Sequence, residues 1–173
     1  MKYSIITIGR EHGSGGRLIA QKVSEALGIP LYDKKLIRMI ANDSGFSEEY
    51  IEQAEKRKST SFLFNIYFDK ANLPMDDQLF LAQANVIKQV ADRGPCVIVG
   101  RCADQILKDR KDCLNVFIYA PMEEKMARTE QVYGEKPSNM KNYLQKFDKQ
   151  RAAYYAHFTD ETWGAAGHYH AMF

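Results

Sequence analysis

The sequence predicts a three-layer α/β fold on a central parallel sheet, and three stretches predict it. Ser4-Ile5-Ile6-Thr7-Ile8 is an apolar run that passes through a glycine loop into an amphipathic helix from Leu18. Pro30-Leu31-Tyr32 follows as a second short strand, so the chain opens strand, helix, strand. Cys96-Val97-Ile98-Val99 and Asn115-Val116-Phe117-Ile118-Tyr119 are continuous apolar runs, the pattern of strands covered on both faces. Strands joined in this way lie parallel, with right-handed crossovers.

The first strand ends in Gly9-Arg10-Glu11-His12-Gly13-Ser14-Gly15-Gly16-Arg17, four glycines within eight residues. A plain strand-to-helix turn manages with fewer, because each glycine adds backbone entropy to the unfolded chain. A glycine loop feeding a helix turns amides inward, and the first N–H groups of the helix have no partner of their own. An anionic oxygen satisfies several at once, aided by the positive end of the helix dipole. Gly9, Arg10, His12, Gly13, Ser14, Gly15, Gly16, Arg17 and Leu18 are therefore the candidate phosphate-binding set. The loop departs from G-x-x-x-x-G-K-[ST]: Arg17 stands where lysine or hydroxyl is expected, and Leu18 follows it.

Further along, Leu18, Ile19, Val23, Ala26 and Leu27 recur at helical spacing, as an amphipathic helix requires, and Gly28 with Pro30 ends that helix. Asp33 falls at the carboxyl end of the second strand, where open α/β sheets hold ligands, and equally suits an N-cap for the helix that follows. From Ser44 to Asp77 the alternation lapses into helical text, with Ser47 capping a helix over Glu48 to Lys58 and an aromatic run at residues 61–68. A helical insert over about residues 40–80 is expected, its aromatics forming core or the wall of a cleft.

Pro74 and Asp76 open a long helix that closes at Gly94 and Pro95. Gly100-Arg101 ends the strand after it, on the same sheet edge as the glycine loop, so Arg101 either reaches a bound phosphate or pairs at the surface with Asp104. Gln105 to Arg110 form a short helix, and Pro121 starts another over Met122 to Val132. A turn at Tyr133 to Pro137 leads to a basic helix over Asn142 to Tyr155. Residues 122–160 read either as a mobile lid, with Arg128 and Arg151 facing phosphates, or as a solvated hairpin. The tail from Trp163 to Phe173 is expected to start a further strand, whose packing helix would follow Phe173. His168 and His170 alternate there as strand neighbours would.

With 173 residues and 45% hydrophobic content, the chain fits one domain spanning 1–173. A net charge of +2 excludes a global basic field for nucleic acid. No stretch is long and apolar enough to span a bilayer, and neither a membrane nor a nucleic-acid partner is expected. Cys96, Cys102 and Cys113 lack zinc spacing and read as reduced core thiols. A cytoplasmic protein is expected, with no resident metal.

These motifs together resemble the cytidylate kinase-like proteins, relatives of bacterial cytidylate kinase among the P-loop nucleoside monophosphate kinases. The likeness is carried by Ile6-Thr7-Ile8 before the loop, Ser24-Glu25-Ala26-Leu27-Gly28, Tyr32-Asp33 and Val97-Ile98-Val99-Gly100-Arg101. It implies a P-loop NTPase-like fold, ATP and Mg2+ as cofactors, and a nucleotide or small-molecule substrate. It also implies an acceptor side formed by Asp33, Arg38, Arg101, Asp104 and Arg128. Arg17, Arg101 and Arg151 become the catalytic candidates, with Arg17 replacing the loop lysine. An ungapped alignment puts Gly16 in the lysine position and Cys102 in place of the acid of a Gly-Arg-Asp motif.

The function expected is transfer of the γ-phosphoryl group of ATP to a nucleoside monophosphate or other small acceptor. One alternative is a nucleotide- or anion-binding protein with a degenerate loop. Another is a dinucleotide-binding oxidoreductase, for which Leu18 obstructs the third glycine position.

Overall fold

The computed structural model describes residues 3–54 and 74–173. The strands among these residues are β1 (Ile5–Arg10), β2 (Leu31–Tyr32), β3 (Cys96–Val99), β4 (Cys113–Ile118) and β5 (Ala171–Met172). They pair in parallel as one sheet in the order β2-β3-β1-β4-β5. The helices are α1 (Gly16–Leu27), α2 (Lys34–Ser44), α3 (Glu48–Ala54), α4 (Met75–Asp92), α5 (Ala103–Ile106), α6 (Met122–Gln131) and α7 (Met140–Thr159).

Central β1 hydrogen-bonds to β3 on one side and β4 on the other, so the strand order turns back at β1. That reversal opens a crevice outside the carboxyl ends of these three strands, where the glycine loop lies. Every β3 residue is buried, as a continuous apolar run in a two-faced sheet requires. One face packs Leu36, Ile40, Leu79, Ile87 and Val90 of α2 and α4 against Ile5 and Ile98; the other packs Ala20 of α1 against Ile8, Val97, Val99 and Val116.

Of the apolar residues read at helical spacing in α1, only Val23 packs against the core. Leu18, Ile19 and Leu27 are between 36% and 40% exposed, while Gly16 and Ala20 face the sheet. Small residues on the sheet side let the helix approach closely, and that turns the longer side chains outward. Its closure follows expectation: Gly28, at φ 62, donates to Glu25 O, and Ile29 N donates to Ser24 O.

Ser47 caps α3 by accepting from Tyr50 N at 3.1 Å. Residues 55–73, including the end of the helix expected to reach Lys58 and the aromatic run at 61–68, lie outside the described residues. The tail does form a strand, β5 pairing with β4. Neither His168 nor His170 is in it. His168 sits in a 3-10 turn 3.3 Å from Glu161, and the His170 ring accepts from Asn115 N, because the turn at Ala166–His168 ends before the strand begins. Among the described residues no cluster of His, Cys, Asp and Glu could hold a metal. The three cysteines are free and buried, and burial pushes Cys96 up to about 11 and Cys113 up to about 12. No helix among the described residues is long and apolar enough to cross a membrane.

Candidate functional site

The glycine loop joins β1 to α1 through two left-handed residues, Gly13 at φ 77 and Gly15 at φ 87. A Cβ on Gly13 would stand 2.7 Å from Thr129 Oγ1 and 2.8 Å from Lys125 O, so α6 seats directly on the loop. Ser14 Oγ donates to Glu11 O at 2.9 Å and accepts from Gly16 N. That hydroxyl therefore braces the loop from inside. Ile19 N bonds Gly15 O, which leaves the amides of Arg17 and Leu18 in the first turn without an intrahelical acceptor.

α6 and α7 fasten to this loop through charge. Lys125 on α6 is almost fully buried, with Nζ 3.1 Å from Glu11 Oε2 and 2.6 Å from Asp148 Oδ2 of α7. A buried ammonium is tolerable only with such partners. Asp148 Oδ1 also accepts the His12 amide at 2.7 Å, and Arg128 Nη1 donates to Gly13 O at 2.8 Å. The His12 ring stacks on Phe147 at 4.5 Å and lies 3.2 Å from Glu135. Burial lowers its pKa, against the opposing hydrogen bond to Glu135.

Two clefts flank the loop. One, about 820 Å³, is lined by Glu11, His12, Gly13, Gly15, Gly16, Arg17, Asp33, Tyr133 and Glu135. The other, about 740 Å³, is lined by Gly9, Gly100, Arg101, Cys102, Asp104, Gln150 and the rings of Phe147, Tyr154, Tyr155, Trp163 and Tyr169. Arg10 and Arg151 line both.

The second cleft depends on an unusual turn. Gly100, Arg101 and Cys102 all have left-handed φ, at 69, 58 and 55. Two consecutive non-glycine residues in that region are strained and persist only when held from outside. Gln83 of α4 holds them, with Nε2 donating to Arg101 O and Oε1 accepting from Arg101 Nη1, each at 3.1 Å. Arg101 is 9% exposed and bonds Gln83, so of its two readings that of a surface arginine does not hold. Asp104 is buried instead against Tyr155, whose hydroxyl donates to Oδ2 at 2.6 Å. Burial raises the Asp104 pKa, the Tyr155 bond opposing it, and burial likewise raises Tyr155 and Tyr169.

Asp33 makes no side-chain cap to α2. Its Oδ2 lies 2.6 Å from Arg17 Nε, close enough to pair but without hydrogen-bond geometry. Arg38 stands apart, 74% exposed and 3.8 Å from Glu48, and lines neither cleft. Leu18 also lines neither, although its amide belongs to the loop mouth. Gly9, Arg101, Asp104 and Arg151 come together in the aromatic cleft, while Arg128 braces the loop from behind. Sequence reasoning missed Gln83, Lys125, Asp148 and Tyr155. Each acts through a partner distant in the chain, and only the helical periodicity of α4 hinted that Gln83 shares a face with Leu79, Val86 and Val90.

A parallel sheet in this order, with a glycine loop opening a helix at the central strand, defines a P-loop kinase fold. The chain belongs to the cytidylate kinase-like family, whose model matches residues 5–173. Among solved structures it is similar to an uncharacterised protein from Eubacterium ventriosum at 30% identity and TM-score 0.70, covering 98% of this chain and 86% of that one. It shares its fold with shikimate kinase from Bacteroides thetaiotaomicron at 14% identity and TM-score 0.56, over 98% and 85% of the two chains. Shikimate kinase from Acinetobacter baumannii, in complex with shikimate, matches at 16% identity and TM-score 0.54, over 99% and 83%. No curated protein matches the sequence significantly.

Proposed function

We propose that the protein is an ATP-dependent phosphotransferase whose acceptor is a nucleoside monophosphate or a similar planar, anionic small molecule. The observation that carries this reading is that the phosphate-loop cleft and the aromatic cleft meet at Arg10 and Arg151. Phosphoryl transfer asks mainly for in-line positioning and for positive charge where the transferring group becomes negative. Two guanidiniums at the junction of a donor cleft and an acceptor cleft provide both.

In this reading the loop amides from Gly13 to Arg17 hold the donor phosphates. Five rings form walls on which a planar acceptor stacks, with Arg101 beside them for its charge. Burial favours the protonated form of Asp104, which suits a hydrogen bond to a ring nitrogen or carbonyl. The acceptor oxygen forms a bond to the γ-phosphorus as the bond to the bridging oxygen breaks, and ADP leaves with that electron pair. A phosphate acceptor arrives deprotonated, so no general base is required. α6 and α7 act as the lid, excluding water from the transfer.

Phosphates suit the loop, since the Arg17 and Leu18 amides at its mouth have no intrahelical acceptor. Magnesium finds less. Ser14 Oγ is engaged within the loop, and Glu11, Asp33 and Glu135, the acids lining that cleft, face Lys125, Arg17 and His12. Magnesium, where present, would be held by the nucleotide it accompanies and would supply positive charge there, with the chain's own residues adding little to its coordination.

The test is ADP formation from ATP and magnesium across a panel of nucleoside monophosphates and small alcohols. Turnover with a nucleoside monophosphate supports the assignment. ATP binding without turnover on any acceptor favours a second reading, a nucleotide-binding protein with a degenerate loop. Glycine at the lysine position and the inward Ser14 hydroxyl speak for it.

A further inference from the structure

We propose that the Arg10 guanidinium takes the electrostatic place of the missing loop lysine, reaching the donor phosphates across Gly16 rather than from it. This rests on the phosphotransferase reading. A loop lysine ordinarily brings positive charge to the outer phosphates from the first turn of the helix.

Arg10, the last residue of β1, lays its side chain over two glycines. A Cβ at Gly16 would stand 2.5 Å from Arg10 Cβ and 3.1 Å from Cγ. A Cβ at Gly100 would stand 2.9 Å from Arg10 Cζ and would collide with Nη1. Gly100 needs glycine for its left-handed backbone as well, but Gly16 is not among the positive-φ residues. Its backbone accepts any side chain; the space above it does not. Gly16 opens α1, and what fills the space above it is the stem of Arg10.

The head of that arginine lies against Gly100 at the edge of the aromatic cleft; Arg10 lines the phosphate-loop cleft as well, and its backbone O accepts from Arg151 Nη1 at 3.2 Å. Arg17, the expected substitute, lines the phosphate-loop cleft too, but its guanidinium is paired with Asp33 there and its side chain is 53% exposed. A guanidinium keeps its charge in any protein environment, and its planar fork grips a phosphate edge.

The test measures ATP and ADP affinity calorimetrically, with magnesium and no acceptor, on the full chain. Arg10→Ala is expected to weaken ATP at least tenfold and ADP less than threefold, since only ATP carries the terminal phosphate. The double variant Arg10→Ala/Gly16→Lys is expected to recover most of the ATP affinity, whereas Gly16→Lys alone, facing Arg10, loses it. If Arg10→Ala does not fold, Arg10→Gln keeps the stem and removes the charge, and the same comparison applies. ATP affinity within twofold of wild type overturns the inference, and so does an equal loss of ATP and ADP, which marks a merely structural arginine. A wild-type protein that binds no ATP overturns the phosphotransferase reading itself, and this inference with it.

Discussion

Lys125 Nζ stands 2.6 Å from Asp148 Oδ2, joining α6 to α7, and the same ammonium lies 3.1 Å from Glu11 Oε2 in the glycine loop. One buried cation thus connects three segments. Asp148 extends the connection by accepting the His12 amide, so the loop is bound to the helix pair through both a side chain and the backbone.

Removing that cation leaves two carboxylates facing each other. Lys125→Ala is expected to destabilise the fold by about 2–3 kcal/mol, below the ~3–5 kcal/mol of a fully buried pair because Glu11 and Asp148 keep some contact with water. Urea denaturation checks it. A change under about 0.5 kcal/mol would show that the network contributes only what an exposed surface pair does.

His12 gives the fold a pH dependence of known sign. Its ordinary pKa is 6.5, and burial lowers it in the folded state. The unfolded chain therefore binds more protons below about 6.5, so stability falls as pH drops from that value toward the folded pKa and is level above it. His12→Asn should flatten this part of the stability curve between pH 5 and 7. A slope identical in variant and wild type would assign the effect to another group.

The contrast between these two sites shows what the sequence carried. The strands, the loop and the caps were legible because they depend on neighbours in the chain: β-branched runs, glycines at a strand end, Ser47 ahead of an acidic turn. The buried side of α1 was not, because Gly16 and Ala20 gave no hydrophobic signal while Leu18 and Leu27 gave a false one. Lys125 sits in Glu123-Glu124-Lys125-Met126, text that reads as a solvated face; its burial is fixed by Glu11 and Asp148, more than 20 residues away on either side. Arg101 was placed on the correct sheet edge, yet its anchor on Gln83 is a tertiary contact with no local trace.

Asp104 sets stability against binding. Burial raises its folded pKa above the ordinary 3.8, so the stability linked to it is fully present below that pH and is lost as pH rises through the folded pKa. At neutral pH the acid therefore weakens the fold. Asp104→Asn, which keeps a donor, is expected to leave Tm unchanged or raise it and to hold acceptor affinity within about threefold, whereas Asp104→Leu, which removes the donor, is expected to reduce that affinity at least tenfold. Thermal melts at pH 7 beside acceptor titrations check both halves, and an Asp104→Leu variant that loses stability without losing affinity would make Asp104 a structural residue only.

Arg17 and Gly13 separate charge near the loop from the shape of the loop. Arg17 is half exposed and held by Asp33, so Arg17→Ala removes a screened charge and is expected to lower ATP affinity less than tenfold. Gly13→Ala meets two obstacles at once, a left-handed backbone at φ 77 and contacts at 2.7 Å and 2.8 Å with Thr129 Oγ1 and Lys125 O. The second of these is backbone and cannot swing aside, so the loop or α6 must shift. ATP affinity should fall at least thirtyfold, and Tm should fall with it as α6 is pushed off the loop. The two variants therefore differ in kind: a loss from Arg17→Ala should shrink in high salt, whereas the loss from Gly13→Ala should persist. Equal salt sensitivity would mean that the cradle works by charge rather than by the direction of its amides.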